Sequence, residues 1–177
     1  MGNRPSLRPG GPLTYMSYDL LWANVSNAPF RLFKHWVHEG GISTPMIAHW
    51  PKRIKSPRVV HSPCHVVDLL PTVLAAASVA YPSELGGSAI QALDGESLMP
   101  LIEGRDWSRE RPLYWEHEGN AAVRIGNFKL VRKFNQPWEL YDMEKDRTEL
   151  HDLMGKHQPL TNQLTHAYDA WAKQVGV

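Results

Sequence analysis

A single cysteine, Cys64, stands in the 177 residues. One thiol closes no internal disulfide and builds no cysteine-rich zinc site, so packing and polar contacts have to hold the fold. Long apolar runs are also missing. The longest, residues 66–77, is interrupted by Asp68, Pro71 and Thr72 and falls short of the roughly 18–20 residues a membrane span needs, so no membrane partner is expected. Charge of one sign is scarce: 19 Lys and Arg against 18 Asp and Glu leave a net charge of +1. With no basic run longer than two residues, there is no electrostatic footprint for nucleic acid, which is not expected as a partner. Internal repeats and low-complexity tracts are absent. Residues 1–12 carry Arg4 and Arg8 without a hydrophobic region behind them. They do not read as a secretory signal, and their Pro and Gly content suits a loop or a ragged truncation point.

What is present fits a globular chain: 42% of residues are hydrophobic and 21% charged, ordinary values for a packed domain. Residues 44–50, ended by Pro51, are expected to form a buried strand entering the core. A helix should follow, with Asp68 as N-cap, Pro71 in the first turn and Leu69, Val73, Leu74 and Ala77 at helical spacing, ending near residues 78–82. Residues 81–97, rich in Gly, Ser and Pro, read as an exposed loop. Beyond Pro112 the texture turns aromatic and β-branched. Segments 113–117, 121–125, 128–134 and 138–141, separated by turn residues, predict an antiparallel meander of about four strands. Pro159 opens a last helix whose Leu160, Leu164, Ala167, Tyr168, Trp171 and Val175 form one apolar stripe, suited to cover that sheet.

The most informative stretch is Asn24-Val25-Ser26-Asn27-Ala28-Pro29-Phe30-Arg31-Leu32-Phe33-Lys34-His35-Trp36-Val37-His38-Glu39-Gly40-Gly41-Ile42-Ser43-Thr44-Pro45. Adjacent glycines after a glutamate permit a sharp bend or close backbone approach, at the kind of sheet end where α/β proteins place ligands. By composition alone Lys34 is a solvated surface lysine. The order of residues says more. This stretch resembles the segment of arylsulfatases that runs Asn-Thr-Pro-Phe-Arg, a lysine, Glu-Gly-Gly-Ile, then Thr-Pro. Four further stretches follow in the same family order: Val67-Asp68-Leu69-Leu70-Pro71-Thr72, Leu93-Asp94-Gly95-Glu96-Ser97-Leu98-Met99-Pro100-Leu101, residues 122–131 and residues 139–153.

The resemblance implies an α/β fold of the alkaline-phosphatase-like class. Residues 1–104 would be the end of a main domain truncated at its N-terminus. Residues 105–177 would be a small antiparallel β-sheet subdomain packed by a C-terminal helix. It implies a sulfuric ester hydrolase acting on a sulfate ester substrate, with Lys34 as catalytic and substrate-binding residue: a fixed ammonium stabilises charge on the sulfate oxygens as the ester bond breaks. His117, in Trp115-Glu116-His117-Glu118-Gly119-Asn120, matches a segment found in part of the family and is a second candidate for substrate contact. The bland reading, satisfied strand-end hydrogen bonding, stands beside it.

The family's formylglycine arises from a Cys or Ser in a Cys/Ser-x-Pro-x-Arg motif, which does not occur here. Ser43-Thr44-Pro45 is a partial lookalike, with Ile47 where arginine is needed. Nor can the acidic residues that bind the family's calcium be matched, so no metal ligand is expected in this chain. Ala28 replaces a family threonine, and Arg147 stands where proline is usual. Among the nine histidines, the pairs His35/His38 and His61/His65 lack a third ligand at zinc-like spacing. Cys64 reads as a small buried or half-buried side chain with no nucleophile motif, and the tryptophans as core.

Two alternatives remain open at this point: a phosphate or phosphonate ester hydrolase of the same superfamily, and a non-catalytic folding or interaction module. The compartment is left open, with a periplasmic or secreted parent admitted by the resemblance. Apolar surface exposed by truncation would favour self-association.

Overall fold

The computed structural model describes residues 6–8, 10–14 and 19–177. The loop reading of residues 1–12 falls partly outside them. Helix α1 (Asp19–Asn27) and the one-turn α2 (Glu39–Ile42) precede α3 (Leu69–Ala77), a two-residue ladder of β1 (Glu84–Leu85) with β2 (Ser88–Ala89), and the short α4 (Met99–Ile102). Then come β3 (Leu113–His117), β4 (Asn120–Ile125), β5 (Phe128–Arg132), β6 (Glu139–Asp142) and the long α5 (Gln158–Val175).

Strands β3 to β6 form one antiparallel sheet in sequence order. Turn chemistry sets its register. His117 pairs with Asn120 across Glu118 and Gly119, both at positive φ (52° and 83°), as a two-residue hairpin turn of type I′ requires. Ile125 pairs with Phe128 across Gly126-Asn127, and Leu130 pairs with Leu140 beyond the longer Asn135-Gln136-Pro137 connection. The expected four strands are therefore present, with ends within about two residues of the sequence reading.

Both faces of the sheet are covered. On one, Ala121, Val123, Leu130 and Leu140 pack against Leu164, Tyr168 and Ala172 of α5. Tyr114 stacks on Trp171 at 4.9 Å between ring centres, and Trp138 meets Tyr168 edge-on. Pro159 sits in the first turn of α5 and Gly176, at φ 83°, ends it. The stripe differs in detail from the expectation, because Thr161 and Ala172 are buried while Val175 is 45% exposed. On the opposite face Ala122, Val131, Tyr141 and Met143 pack with Val37 and Ile42, which brings residues 30–43 onto the sheet.

Several expectations need correction: Cys64 is exposed rather than buried or half-buried, and Trp22 is 65% exposed, outside the core. Residues 44–50 are not a strand, and Ile47 is 93% exposed. A strand is made by its ladder, no described strand pairs with this segment, and Pro45 and Pro51 each withhold an N–H from any ladder. Asp68 does sit at the N-cap of α3, after a 3₁₀ turn over Val66–Asp68, but its side chain makes no capping bond to that helix. The carboxylate is buried and serves other partners, described below. None of the α3 stripe is buried. Among the described residues no helix is long and apolar enough to cross a membrane.

Candidate functional site

Lys34 lies at the tip of a tight turn. Trp36 N–H donates to the Phe33 carbonyl at 3.2 Å, leaving Lys34 and His35 as its two central residues. His35 is held at φ 106°, the hand of conformation that the third position of a type II turn takes and that glycine usually fills. Phe33 and Trp36 brace the two ends of the turn edge-to-face at 4.7 Å. Lys34 is exposed and makes no hydrogen bond or ion pair among the described residues.

Behind the turn the chain is fixed by buried charge. The Lys129 ammonium, fully buried on β5, donates to Glu39 Oε1 at 3.0 Å and Glu149 Oε1 at 2.8 Å. The other Glu149 oxygen accepts from Glu39 N–H at 3.0 Å. Arg147 adds a bond to Glu39 Oε2, donates to Ser43 Oγ and lies over the Phe30 ring. Burial pushes the Glu39 carboxyl up, but the Lys129 and Arg147 cations hold it below the ordinary carboxylate value. Gly40 and Gly41 fit because a Cβ at either would run into the carbonyl oxygens of Leu32 and Trp36.

A second anchor lies alongside. Arg31 Nη1 donates to Glu139, to the Tyr141 hydroxyl and to the Glu149 carbonyl, while buried His38 bonds Glu139 through Nε2 at 3.3 Å. The His38 hydrogen bond above all, offset in part by burial and helped by the Tyr141 hydroxyl and Arg31, lowers the Glu139 carboxyl to about 2. Burial, and then the hydrogen bond to Glu139, push the Tyr141 phenol up.

His117 is exposed at the end of β3, and its ring centre is 5.7 Å from that of His35. The structure thus brings His117 beside the turn that carries Lys34. An open cleft of about 610 Å³ adjoins them, lined by His35, Trp36, Glu118, Asn120, Lys133 and Phe134 among others. The donors gathered here are His35, His117 and Glu118, two imidazoles and one carboxylate. They do not fit calcium, which takes six to eight oxygen ligands. Sequence reasoning did not single out His35 and Glu118 together, because only the fold brings the two turns into contact.

Comparison with known proteins decides the family. The family model for the N-sulphoglucosamine sulphohydrolase C-terminal region matches residues 30–174. The chain belongs to this sulfatase family. An uncharacterized sulfatase of Schizosaccharomyces pombe is 30% identical over 179 aligned positions, covering 93% of this chain and 31% of its own length. N-acetylgalactosamine-6-sulfatase of Canis lupus familiaris is 35% identical over 104 positions, covering 59% of this chain and 19% of its own. Among solved structures, Ps i-CgsB superposes with a TM-score of 0.71 at 28% identity, covering 82% of this chain and 32% of that one. A second structure of it, in complex with k-i-k-neocarrahexaose, gives 0.59 at 26% identity, covering 70% and 27%. The chain thus spans about a third or less of the length of these sulfatase-family and structural relatives.

Two of the sulfatase-like stretches lock each other together away from the turn. Asp68 accepts from His65 N–H at 2.7 Å, from Glu96 N–H at 2.9 Å and from the Arg109 guanidinium. Thr72 Oγ accepts from Leu98 N–H at 2.8 Å while donating to the Asp68 carbonyl. Gly95 packs against Val67 so closely that a Cβ would strike its carbonyl. The Asp-x-x-Pro-Thr and Asp-Gly-x-Ser-Leu stretches therefore do structural work here.

Proposed function

We propose that this chain forms the C-terminal part of a sulfuric ester hydrolase and supplies the lysine that contacts the sulfate. The observation that carries the reading is the placement of Lys34. Its backbone turn is tied to the sheet by Asn120, which donates to the His35 carbonyl, and the chain behind the turn by buried Lys129, Glu39 and Glu149, while its own ammonium is exposed and unpaired among the described residues. A cation held by its backbone and left free at its tip is suited to meet an anionic group arriving from solvent. There it favours the transition state, in which charge shifts among the sulfate oxygens. His117, beside the same turn, contacts the remainder of the ester.

Calcium and formylglycine, implied by the sulfatase resemblance, are assigned to parts of the whole protein outside this chain. By itself the chain hydrolyses neither aryl sulfates nor phosphate monoesters above background. A saccharide sulfate is the favoured substrate class, since one relative is named as an N-acetylgalactosamine-6-sulfatase and a structural relative has been solved with k-i-k-neocarrahexaose. Steady-state assays of the whole protein on matched sulfate and phosphate monoesters test the class. Sulfate turnover is expected to lead. Equal or greater phosphate turnover would place the chain in a phosphate or phosphonate hydrolase instead.

A further inference from the structure

Two tight turns from distant parts of the sequence meet at one point: residues 33–36, with His35 at the third position, and the hairpin turn between His117 and Asn120, with Glu118. We propose that His35, His117 and Glu118 form a binding site for a divalent transition metal of the zinc class. Their ligand atoms all lie within 4.8 Å of one another, and His35 Nδ1 stands 2.7 Å from Glu118 Oε2. Bond lengths of about 2.0–2.2 Å in a tetrahedral zinc site set ligand atoms roughly 3.3 Å apart. One pair stands closer than that spacing, all three donors lie within 4.8 Å, and all three side chains are exposed and open to an ion from solvent. Two imidazoles and a carboxylate are donors that zinc-class ions favour and calcium does not. The fourth position faces solvent.

The support beneath the trio is built. Asn120, only 2% exposed, donates from Nδ2 to the His35 carbonyl at 3.3 Å and to the His117 carbonyl at 2.9 Å, and its Oδ1 accepts from Phe134 N–H at 3.2 Å. One buried amide thus ties together the backbones that present the ligands, the work outer partners do in metal sites. His35 and Glu118 are both held at positive φ, 106° and 52°. Glycine would adopt either conformation with less strain, so an imidazole and a carboxylate are kept where the backbone disfavours any side chain.

This site shares His117 with the sulfate-ester reading but is carried by the geometry of the trio and is tested apart from that reading. Zinc is titrated into the 177-residue chain by calorimetry and by competition with a chromophoric chelator, with circular dichroism to confirm an unchanged fold. The expected result is one saturable zinc per chain, weakened roughly tenfold or more by His117→Ala and again by Glu118→Gln, since loss even of an outer partner has that effect. His49→Ala, at an exposed histidine in another segment, leaves binding unchanged, and calcium does not compete. Absence of saturable zinc binding would overturn the site. So would one-to-one binding that survives both substitutions in folded protein.

Discussion

Lys129 is a lysine with no exposed surface, set between Phe128 and Leu130 in an otherwise apolar run. Its value is conditional on its partners: removing one member of a buried ion network leaves the others desolvated and unpaired, which typically destabilises by about 3–5 kcal/mol. Lys129→Met should lower the unfolding free energy by that order in urea titrations, and a loss under about 1 kcal/mol would mean that Glu39 and Glu149 find other partners. The Glu139 cluster makes a pH statement. Its carboxyl is held at about 2 in the folded chain against an ordinary 4.5, so its contribution is fully present above that ordinary value and is lost as pH falls through about 2. Glu139→Gln should flatten the acid side of the stability profile in that window. A profile unchanged from the parent would show that Glu139 is not held by His38, Tyr141 and Arg31. Lys34 stands out in the sequence through motif order, and His117 only through a segment that resembles part of the family. Lys129 carried only a weak signal, a charge at an inward strand position, and Asn120 none at all.

The sheet and last helix were readable because their signals are local. Gly126-Asn127 and the Glu118-Gly119 turn punctuate the strands, and one apolar stripe with Pro159 ahead of it marks α5. Residues 44–50 were not readable, since strand status depends on a partner elsewhere in space, and apolar composition cannot report whether one is there. The stripe itself misplaced one residue, and that difference can be measured. Leu164 is fully buried, so Leu164→Ala should destabilise by about 2–5 kcal/mol. Val175 belongs to the sequence stripe but is 45% exposed at the last turn, so Val175→Ala should stay within about 0.5 kcal/mol. Equal losses in chemical denaturation would contradict the packing of α5 described here.

At the scale of the molecule, the apolar surface exposed among the described residues stands out. Leu20, Leu21, Trp22 and Val25 of α1, Met46 and Ile47 beyond α2, and Leu69, Leu70 and Val73 of α3 are all exposed, a distribution that favours association. Sedimentation of the 177-residue chain should show concentration-dependent self-association, reduced by Ile47→Lys; a monomer at every concentration would contradict it. The family was legible because its motifs survive in order, whereas the zinc-class trio required two turns to meet. The central claim is that Lys34 is the sulfate contact of a sulfatase. Steady-state kinetics on an aryl sulfate test it in the whole protein, comparing parent, Lys34→Ala and Lys34→Arg, with thermal unfolding alongside. Loss of a charged donor to the transferring group predicts turnover roughly a hundredfold or more lower for alanine at unchanged stability, with partial rescue by arginine, whose planar fork places its charge differently. Alanine kinetics within about threefold of the parent would contradict the assignment.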